Sequence, residues 1–288
     1  MSAVDVTAPR RRSRPVRAWL RLLGSELRLV FGRRRNRVGV AVLFGLVVLV
    51  GIALKVSAVR RPRSAAGDLM SAVAGNGIFL GFAGLSVEIA LFLPLAVAVL
   101  AGDAIAGEAN QGTLRYLLIA PVARGRLLVM KAVSLAIGSL VGATVVAVSG
   151  LLTGAVLFGV GPLTSLSGTR LGVGDGLLRL LLATLYLAAG LSALAMIGLF
   201  ISTLTEQPIA ATVATAMAST LLWILDAVPQ LDWLHPWLLV DRWMSFLDLL
   251  RDPVFTDRII AGLWVDAAYA AVFLLLAWLR FRNKDVTS

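Results

Sequence analysis

Long apolar stretches separated by short polar segments dominate the chain. Since ~20 helical residues cross a hydrocarbon core about 30 Å thick, six stretches are long enough to span a bilayer. They are continuous rather than alternating, which predicts helices and not the strands of a barrel. The predicted spans lie at 38–57, 77–101, 127–160, 177–204, 208–228 and 259–280. The pattern therefore predicts an all-α, polytopic membrane protein with six transmembrane helices, the third and fourth tilted or extending beyond the bilayer.

A basic arm precedes the first span. Residues 1–37 carry eleven arginines against two acids, Asp5 and Glu26. We expect residues 1–14 to be a disordered basic tail and residues 15–37 to form an amphipathic helix. Its apolar face comprises Trp19, Leu20, Leu23 and Leu27, and its basic face comprises Arg17, Arg21 and Arg28. Such a helix is typical of the membrane interface, the alternative being a helix that packs on the protein with its charges in water.

Composition agrees with a membrane protein and excludes several kinds of chemistry. The chain is 59% hydrophobic and 15% charged, with a mean hydropathy of +0.89. It has no cysteine and one histidine, His235, so we expect neither a metal site built on thiolates or several histidines nor a histidine relay. The net charge of +11 comes from basic residues beside apolar spans. Membrane lipids with anionic headgroups are therefore the expected partners, and nucleic acid is not.

Charge placement predicts the orientation. With both termini in the cytoplasm, 18 of the 27 lysines and arginines lie on the cytoplasmic side, as the positive-inside rule requires. Arg60, Arg61 and Arg63 oppose this assignment, and the basic arm outweighs them. The expected location is the cell (plasma) membrane, as a multi-pass protein.

Two further patterns concern packing. Gly-x-x-x-Gly occurs at Gly77/Gly81, Gly138/Gly142 and Gly150/Gly154; each pair permits close helix approach, and we assign none of them a function. The segment 229–258 is rich in large apolar side chains, which predicts short helices lying at the outer interface. These side chains are Trp233, Trp237, Trp243, Phe246 and Leu249.

The most informative segment joins the second and third predicted spans. Within residues 94–131 it holds an acidic pair, a Gly-Thr-Leu-Arg, a Leu-Leu, a Pro-Val-x-Arg and a lysine. These are Asp103 and Glu108, Gly112-Thr113-Leu114-Arg115, Leu117-Leu118, Pro121-Val122-Ala123-Arg124 and Lys131. The pattern resembles the signature of the ABC-2 type transporter permeases. The six spans, the amphipathic "elbow" helix at 15–37 and the ending Phe281–Val286 are similar to that family as well.

The resemblance implies the membrane subunit of an ATP-binding cassette exporter. It implies a transmembrane domain at 38–288, with a cytoplasmic coupling segment at 103–131 and an outer loop at 229–258. Coupling to the ATPase would involve Glu108, Gly112, Thr113, Leu114, Arg115, Leu117, Leu118, Pro121 and Arg124. The implied partners are two cytoplasmic ATPase subunits, which would bind ATP and Mg, and a second permease copy or homologue.

The residues alone leave the role of the coupling segment open. Its apolar side chains and the helix-stopping Pro121 suit a short helix in a groove of a partner protein. They suit a re-entrant or membrane-surface segment equally well. The lysines Lys55, Lys131 and Lys284 do not follow a glycine, so the chain has no P-loop of its own. We accordingly expect a transport subunit that is not itself an enzyme and holds no cofactor.

Glu88 is the candidate residue for a membrane path. It lies eleven residues into the second predicted span, which is about 16 Å deep in a helix. An ionisable group at that depth is costly and usually faces a bundle interior or an aqueous path. One interpretation is a group that lines a conduit or a subunit interface; the other is a protonated carboxyl bonded to a serine or threonine. A first rival function is therefore a secondary transporter with Glu88 as proton carrier. A second rival is a membrane-embedded enzyme, which the unpaired carboxylates disfavour.

Overall fold

The computed structural model describes residues 15–60, 76–112 and 124–282, excepting the side chains of 15–18, 58–60 and 124. This part of the chain is almost entirely helical, which confirms the all-α prediction. The α-helices are α1 Pro15–Gly32, α2 Arg34–Arg60, α3 Gly77–Glu88, α4 Phe92–Ala104, α5 Ala106–Asn110, α6 Arg124–Phe158, α7 Val173–Leu204, α8 Pro208–Asp226 and α9 Asp257–Arg282. Three 3-10 helices cover Pro229–Leu231, His235–Trp237 and Trp243–Leu250, and the strands β1 Leu163–Thr164 and β2 Arg170–Leu171 form a short antiparallel hairpin.

Among the described residues, five helices are long and apolar enough to cross a membrane: α2, α6, α7, α8 and α9. Helices α3 and α4 pass the same test together but are bent by 59°, and counting them as one span gives the six that the pattern predicts. The helices α6 and α7 have 35 and 32 residues, so each is longer than a bilayer crossing requires.

The expectation of one continuous helix at 77–101 is wrong. Helix α3 ends at Glu88, and α4 begins at Phe92 after Leu91, whose φ of −144° and ψ of −54° are not helical. The cause lies in Pro94. A proline ring clashes with the carbonyl four residues earlier, here that of Ala90, and fits only within the first turn of a helix. The chain therefore breaks at 89–91 and places Pro94 in the first turn of α4.

The helix ends fall into two groups, which shows that consecutive long helices run in opposite directions. At one end, termed the Lys131 end, the last turn of α7 meets the end of α4 through a hydrogen bond from Ser202 Oγ to the carbonyl of Gly102. The indole of Trp278, near the end of α9, lies against Gly125 at the start of α6 at this same end. At the other, the hairpin end, Lys55 Nζ donates to the carbonyl of Leu157 at 2.8 Å.

Two of the Gly-x-x-x-Gly motifs pack against each other, which the sequence did not indicate. Gly77 of α3 lies directly on Gly154 of α6, and a Cβ on Gly154 would come within 2.2 Å of the Gly77 carbonyl oxygen. One turn away, a Cβ on Gly150 would come within 2.6 Å of the Gly81 Cα. The two backbones touch along two turns because both helices lack side chains there.

Helix α7 is central, with α4, α6, α8 and α9 packed around it. The segment 229–258 only partly matches the expected interfacial helices. Trp233 and Trp237 are exposed, but Trp243 and Phe246 are fully buried, and Phe246 stacks on Phe82 of α3. Leu249 is buried as well, so the prediction of an interfacial position is wrong for Trp243, Phe246 and Leu249, which close the bundle from the hairpin end. Periodicity could not separate the two locations because both accept aromatic side chains.

Candidate functional site

The Lys131 end gathers charged residues from four segments. Asp103 lies in the last turn of α4 and Glu108 in α5, on either side of a kink at Ile105. The kink is held by Ser202 of α7, whose Oγ accepts from the backbone N–H groups of Ile105 at 3.1 Å and Ala106 at 2.9 Å. These two bonds satisfy N–H groups that the start of a helix leaves without intrahelical partners. The acidic pair is thus set at a fixed angle by a side chain from the central helix.

Lys131 of α6 bridges two of the neighbouring segments. Its Nζ donates to Glu26 Oε1 of α1 at 2.6 Å and to Glu108 Oε1 of α5. The lysine side chain is only 4% exposed and the two glutamates are 12% and 14% exposed. A buried charge is tolerated when opposite charges and hydrogen bonds surround it. The burial of the lysine therefore depends on the two glutamates, and their burial depends on the lysine. We call Glu26, Glu108 and Lys131 the Lys131 cluster.

Asp103 forms a second, more open group. Its Oδ2 accepts from Nη1 of Arg33, between α1 and α2, at 2.6 Å and from Nη2 of Arg35, in the first turn of α2. Both arginines are partly in solvent, at 36% and 51% exposure, so these pairs are screened more strongly than the Lys131 cluster. Together the two groups tie α1 and the start of α2 to the α4–α5 corner.

Burial and charge act in opposite directions on Glu108. Burial raises the pKa of its carboxyl above the ordinary value, and the charge and hydrogen bond of Lys131 lower that pKa. The burial effect is the larger, so the net pKa is raised. Lys131 therefore offsets part of the effect of burial on the pKa of the Glu108 carboxyl.

The predicted coupling segment is described only at its two ends. Glu108 belongs to the Lys131 cluster, and Gly112 adopts a left-handed φ of +68°, a conformation that favours glycine. Arg124 begins α6. The other predicted coupling residues, Thr113, Leu114, Arg115, Leu117, Leu118 and Pro121, lie outside the described residues. The structure thus joins the two ends of the segment through the contact between Glu108 and Lys131.

The predicted amphipathic helix is present as α1, which packs on α2 and α6. Leu23 is buried, and Trp19 and Leu27 pack against the core of the bundle. Leu20, assigned to the same face, is 55% exposed. On the basic face Arg21 and Arg28 are exposed, and the side chain of Arg17 lies outside the described residues. The apolar face therefore covers α6 and α2 in part, and a membrane-interface role for α1 stays a prediction.

Glu88 is buried at the break between α3 and α4. It is 1% exposed, and both carboxyl oxygens lack a hydrogen-bond partner among the described residues. One turn earlier, Gly84 lies against Val47 of α2 and Val146 of α6. The bond from a serine or threonine that one of the two interpretations requires is therefore not made by the described part of the chain. A buried polar group with no partner is costly and uncommon, so Glu88 remains a candidate functional residue.

Sequence reasoning missed Glu26, Arg33, Arg35 and Ser202. One signal was available for Glu26, which is the sole acid within the basic stretch 15–37. Ser202 carried no signal, because its contact with the α4–α5 corner joins residues almost a hundred positions apart. In the part of the chain that the structure describes, no group of three or more histidine, cysteine, aspartate or glutamate side chains is placed to hold a metal ion.

Comparison with known proteins gives a family without a known activity. No curated protein matches the chain. The family profile described as protein of unknown function, DUF2705, matches residues 70–287, a range that begins before α3 and includes all of α9. Because this match covers well over half of the 288 residues, the chain belongs to the DUF2705 family.

Proposed function

We propose that this protein is the transmembrane permease subunit of an ATP-binding cassette exporter, which moves a substrate across the cell membrane with ATP hydrolysed by separate subunits. The observation that carries the proposal is the Lys131 cluster. It joins the two ends of the segment 103–131 to α1 and to the long helix α6, which reaches the hairpin end. A force applied to that segment would therefore reach the spans directly. The resemblance of residues 94–131 to the ABC-2 type permeases supports the same role.

In this proposal two cytoplasmic ATPase subunits bind ATP and Mg and approach one another during the cycle. The segment 103–131 docks on them and passes their movement to α4, α5 and α6. The spans then alternate between inward-facing and outward-facing arrangements. The permease acts with a second copy of itself or with a homologue, both termini lie in the cytoplasm, and no covalent chemistry takes place on this chain.

The direct test replaces Leu117 and Leu118 with aspartate. If both leucines are covered by the ATPase, each contributes about 1.5–3 kcal/mol of burial, and two buried charges would prevent docking. The double variant should insert normally but lose its ATPase during purification, or leave hydrolysis uncoupled from transport. The measurements are copurification of the ATPase and substrate-stimulated hydrolysis in reconstituted vesicles.

The matched control is the double variant Leu117→Met and Leu118→Met, which keeps apolar volume at both positions. It should retain its ATPase and its coupled hydrolysis. Normal ATPase binding and transport in the aspartate variant would remove the segment from the coupling role and weaken the proposal.

A second candidate is a secondary transporter in which Glu88 carries protons. The observation that favours it is the buried carboxyl at a helix break, without a hydrogen-bond partner among the described residues. In that case Glu88→Gln should assemble normally and abolish the pH dependence of transport, with no requirement for an ATPase. Transport that is unchanged across pH in this variant would exclude the proton-carrier role.

A further inference from the structure

An apolar groove opens on the side of the bundle between α2, α4 and α6. Its volume is about 300 Å³. The lining is aliphatic and aromatic, with Val42 and Leu43 from α2, Phe92 and Ala96 from α4 and Gly142 from α6. Val42 is 47% exposed, so the groove is accessible from the surroundings of the bundle. A groove of this kind on a membrane protein can receive a hydrocarbon chain.

The groove leads to a basic pocket at the Lys131 end. This second cavity is about 660 Å³ and is lined by Arg33, Arg34 and Arg35, together with Asp103 and amide side chains that include Gln207. Arg35 lines both the groove and the pocket, so the two form one continuous surface. Three arginines face a single aspartate there, which leaves an excess of positive charge. Arg34 makes no ion pair with any described residue and is exposed.

Two polar groups within the groove lack partners. Ser139 is 1% exposed, and its Oγ makes no hydrogen bond with the described residues. The side chain of Asn36 donates to the carbonyl of Val30 at 2.7 Å, but its buried Oδ1 accepts no bond from the described part of the chain. Both residues line the groove. Buried polar groups are normally satisfied, so these two indicate a ligand that carries hydrogen-bonding groups as well as a chain.

We propose that this surface binds one anionic phospholipid. An acyl chain occupies the groove between α2, α4 and α6, and the phosphate lies among Arg33, Arg34 and Arg35. Ester and hydroxyl groups of the lipid satisfy Ser139 and Asn36. The positive excess selects an anionic headgroup over a zwitterionic one, since each basic side chain near a membrane surface favours negative lipid. This inference does not depend on the transport function proposed above.

The acyl-chain part is tested by filling the groove. Gly39 lines the groove, and a Cβ added there would meet nothing within 4 Å. Gly39→Leu should therefore be tolerated by the fold while its side chain occupies the space of the acyl chain. The control is Gly45→Leu, which is on the same helix, is equally free of contacts at Cβ and does not line the groove.

The measurement is native mass spectrometry of the purified full-length protein after exchange into detergent, with added phosphatidylglycerol as the probe. The wild type and Gly45→Leu should retain about one phosphatidylglycerol per chain, and Gly39→Leu should bind it at least about tenfold more weakly because methylene burial is lost. Equal binding by Gly39→Leu and Gly45→Leu would overturn the proposal.

The headgroup part is tested by Arg34→Gln against Arg37→Gln. Arg34 lines the basic pocket, whereas the exposed Arg37, three residues later, lines neither cavity. Arg34→Gln should reduce the preference for phosphatidylglycerol over phosphatidylcholine about fivefold, and Arg37→Gln should leave that preference unchanged. An equal effect of the two variants would indicate general attraction to the membrane surface and would contradict a defined site.

The same groove could instead be covered by a second copy of the chain. Val42→Cys, introduced into this cysteine-free protein, distinguishes the two occupants. If lipid fills the groove, the variant forms no disulfide-linked dimer on oxidation in membranes. Efficient formation of a disulfide-linked dimer through Cys at this position, with no retained phosphatidylglycerol, would overturn the proposal in favour of a subunit interface.

Discussion

At the level of single residues, Lys131 is a buried cation whose Nζ contacts two carboxylates at once. It lies between Glu26 and Glu108, which both precede it in the sequence and belong to two other helices, α1 and α5. Replacing a buried ion pair by apolar groups can be neutral, but removing one partner leaves the others buried and unpaired. The arrangement therefore makes the α1–α5–α6 junction sensitive to a single change.

Lys131→Met should lower the free energy of unfolding by about 3–5 kcal/mol at neutral pH. The loss should be smaller at low pH. Burial raises the pKa of Glu108, and Lys131 opposes that rise; removing the lysine raises the pKa further. A carboxyl with a raised folded-state pKa stabilises the fold below its ordinary, unfolded-state pKa and loses this contribution as pH rises through the folded-state pKa. Thermal unfolding in detergent at a series of pH values measures the effect.

The control for this prediction is Lys131→Met combined with Glu108→Gln, which removes the charge of one of the two carboxylates that contact Lys131. The double variant should recover part of the stability at neutral pH and show a weaker pH dependence. A single variant as stable as the wild type across the whole pH range would show that the cluster contributes nothing to the junction.

At the scale of elements, the contact of α3 with α6 depends on glycine. Gly77 and Gly81 meet Gly154 and Gly150 with backbone against backbone, and van der Waals packing of this kind is a main source of helix association in a bilayer. The same contact holds α3, which carries Glu88 at its end, against α6. Small residues on both helices therefore determine where the buried carboxyl lies.

Gly154→Val should separate α3 from α6, because a Cβ at that position would lie 2.2 Å from the Gly77 carbonyl oxygen. The expected cost is about 1–3 kcal/mol or more, as for other overpacked sites. Gly45→Val is the control, since it has the same loss of glycine in a helix but nothing within 4 Å of its Cβ. Unfolding temperatures of the two variants in one detergent give the comparison; equal values would mean that the α3–α6 contact is not tight.

At the scale of the whole molecule, the helix ends divide between the Lys131 end and the hairpin end. The first described helix, α1, and the C-terminal end of the last, α9, both lie at the Lys131 end. Glu26 of α1 contacts Lys131, and Trp278 of α9 contacts Gly125. Charge distribution predicts that this end faces the cytoplasm. The predicted orientation can be tested with single cysteines, since the chain has none of its own.

Cysteines at Ser167 and Thr256 should react with an impermeant thiol reagent on intact cells, and a cysteine at Glu206 should not. The first two positions are exposed at the hairpin end, and Glu206 is exposed at the Lys131 end. All three should react once the cells are opened, which controls for accessibility. Labelling of Glu206→Cys on intact cells, with protection of the other two, would reverse the orientation.

The helical class, the number and approximate position of the spans and the amphipathic character of α1 could all be predicted from the sequence. These properties depend on local composition and period, because continuous apolar runs of sufficient length have few other structures available in a membrane. The break before Pro94 could also have been predicted from the sequence, since a proline ring clashes with the carbonyl of the residue four positions earlier.

The contacts between residues of different helices could not be predicted and are known from the packed structure alone. It placed Glu26 on Lys131, Ser202 on the α4–α5 corner and Gly77 on Gly154, and it buried Trp243 where an interfacial position was expected. Each of these contacts joins residues far apart along the chain. A periodic pattern shows that a helix has an apolar or a polar face, but it carries no information on the partner of that face. The partner is fixed by how the helices pack together.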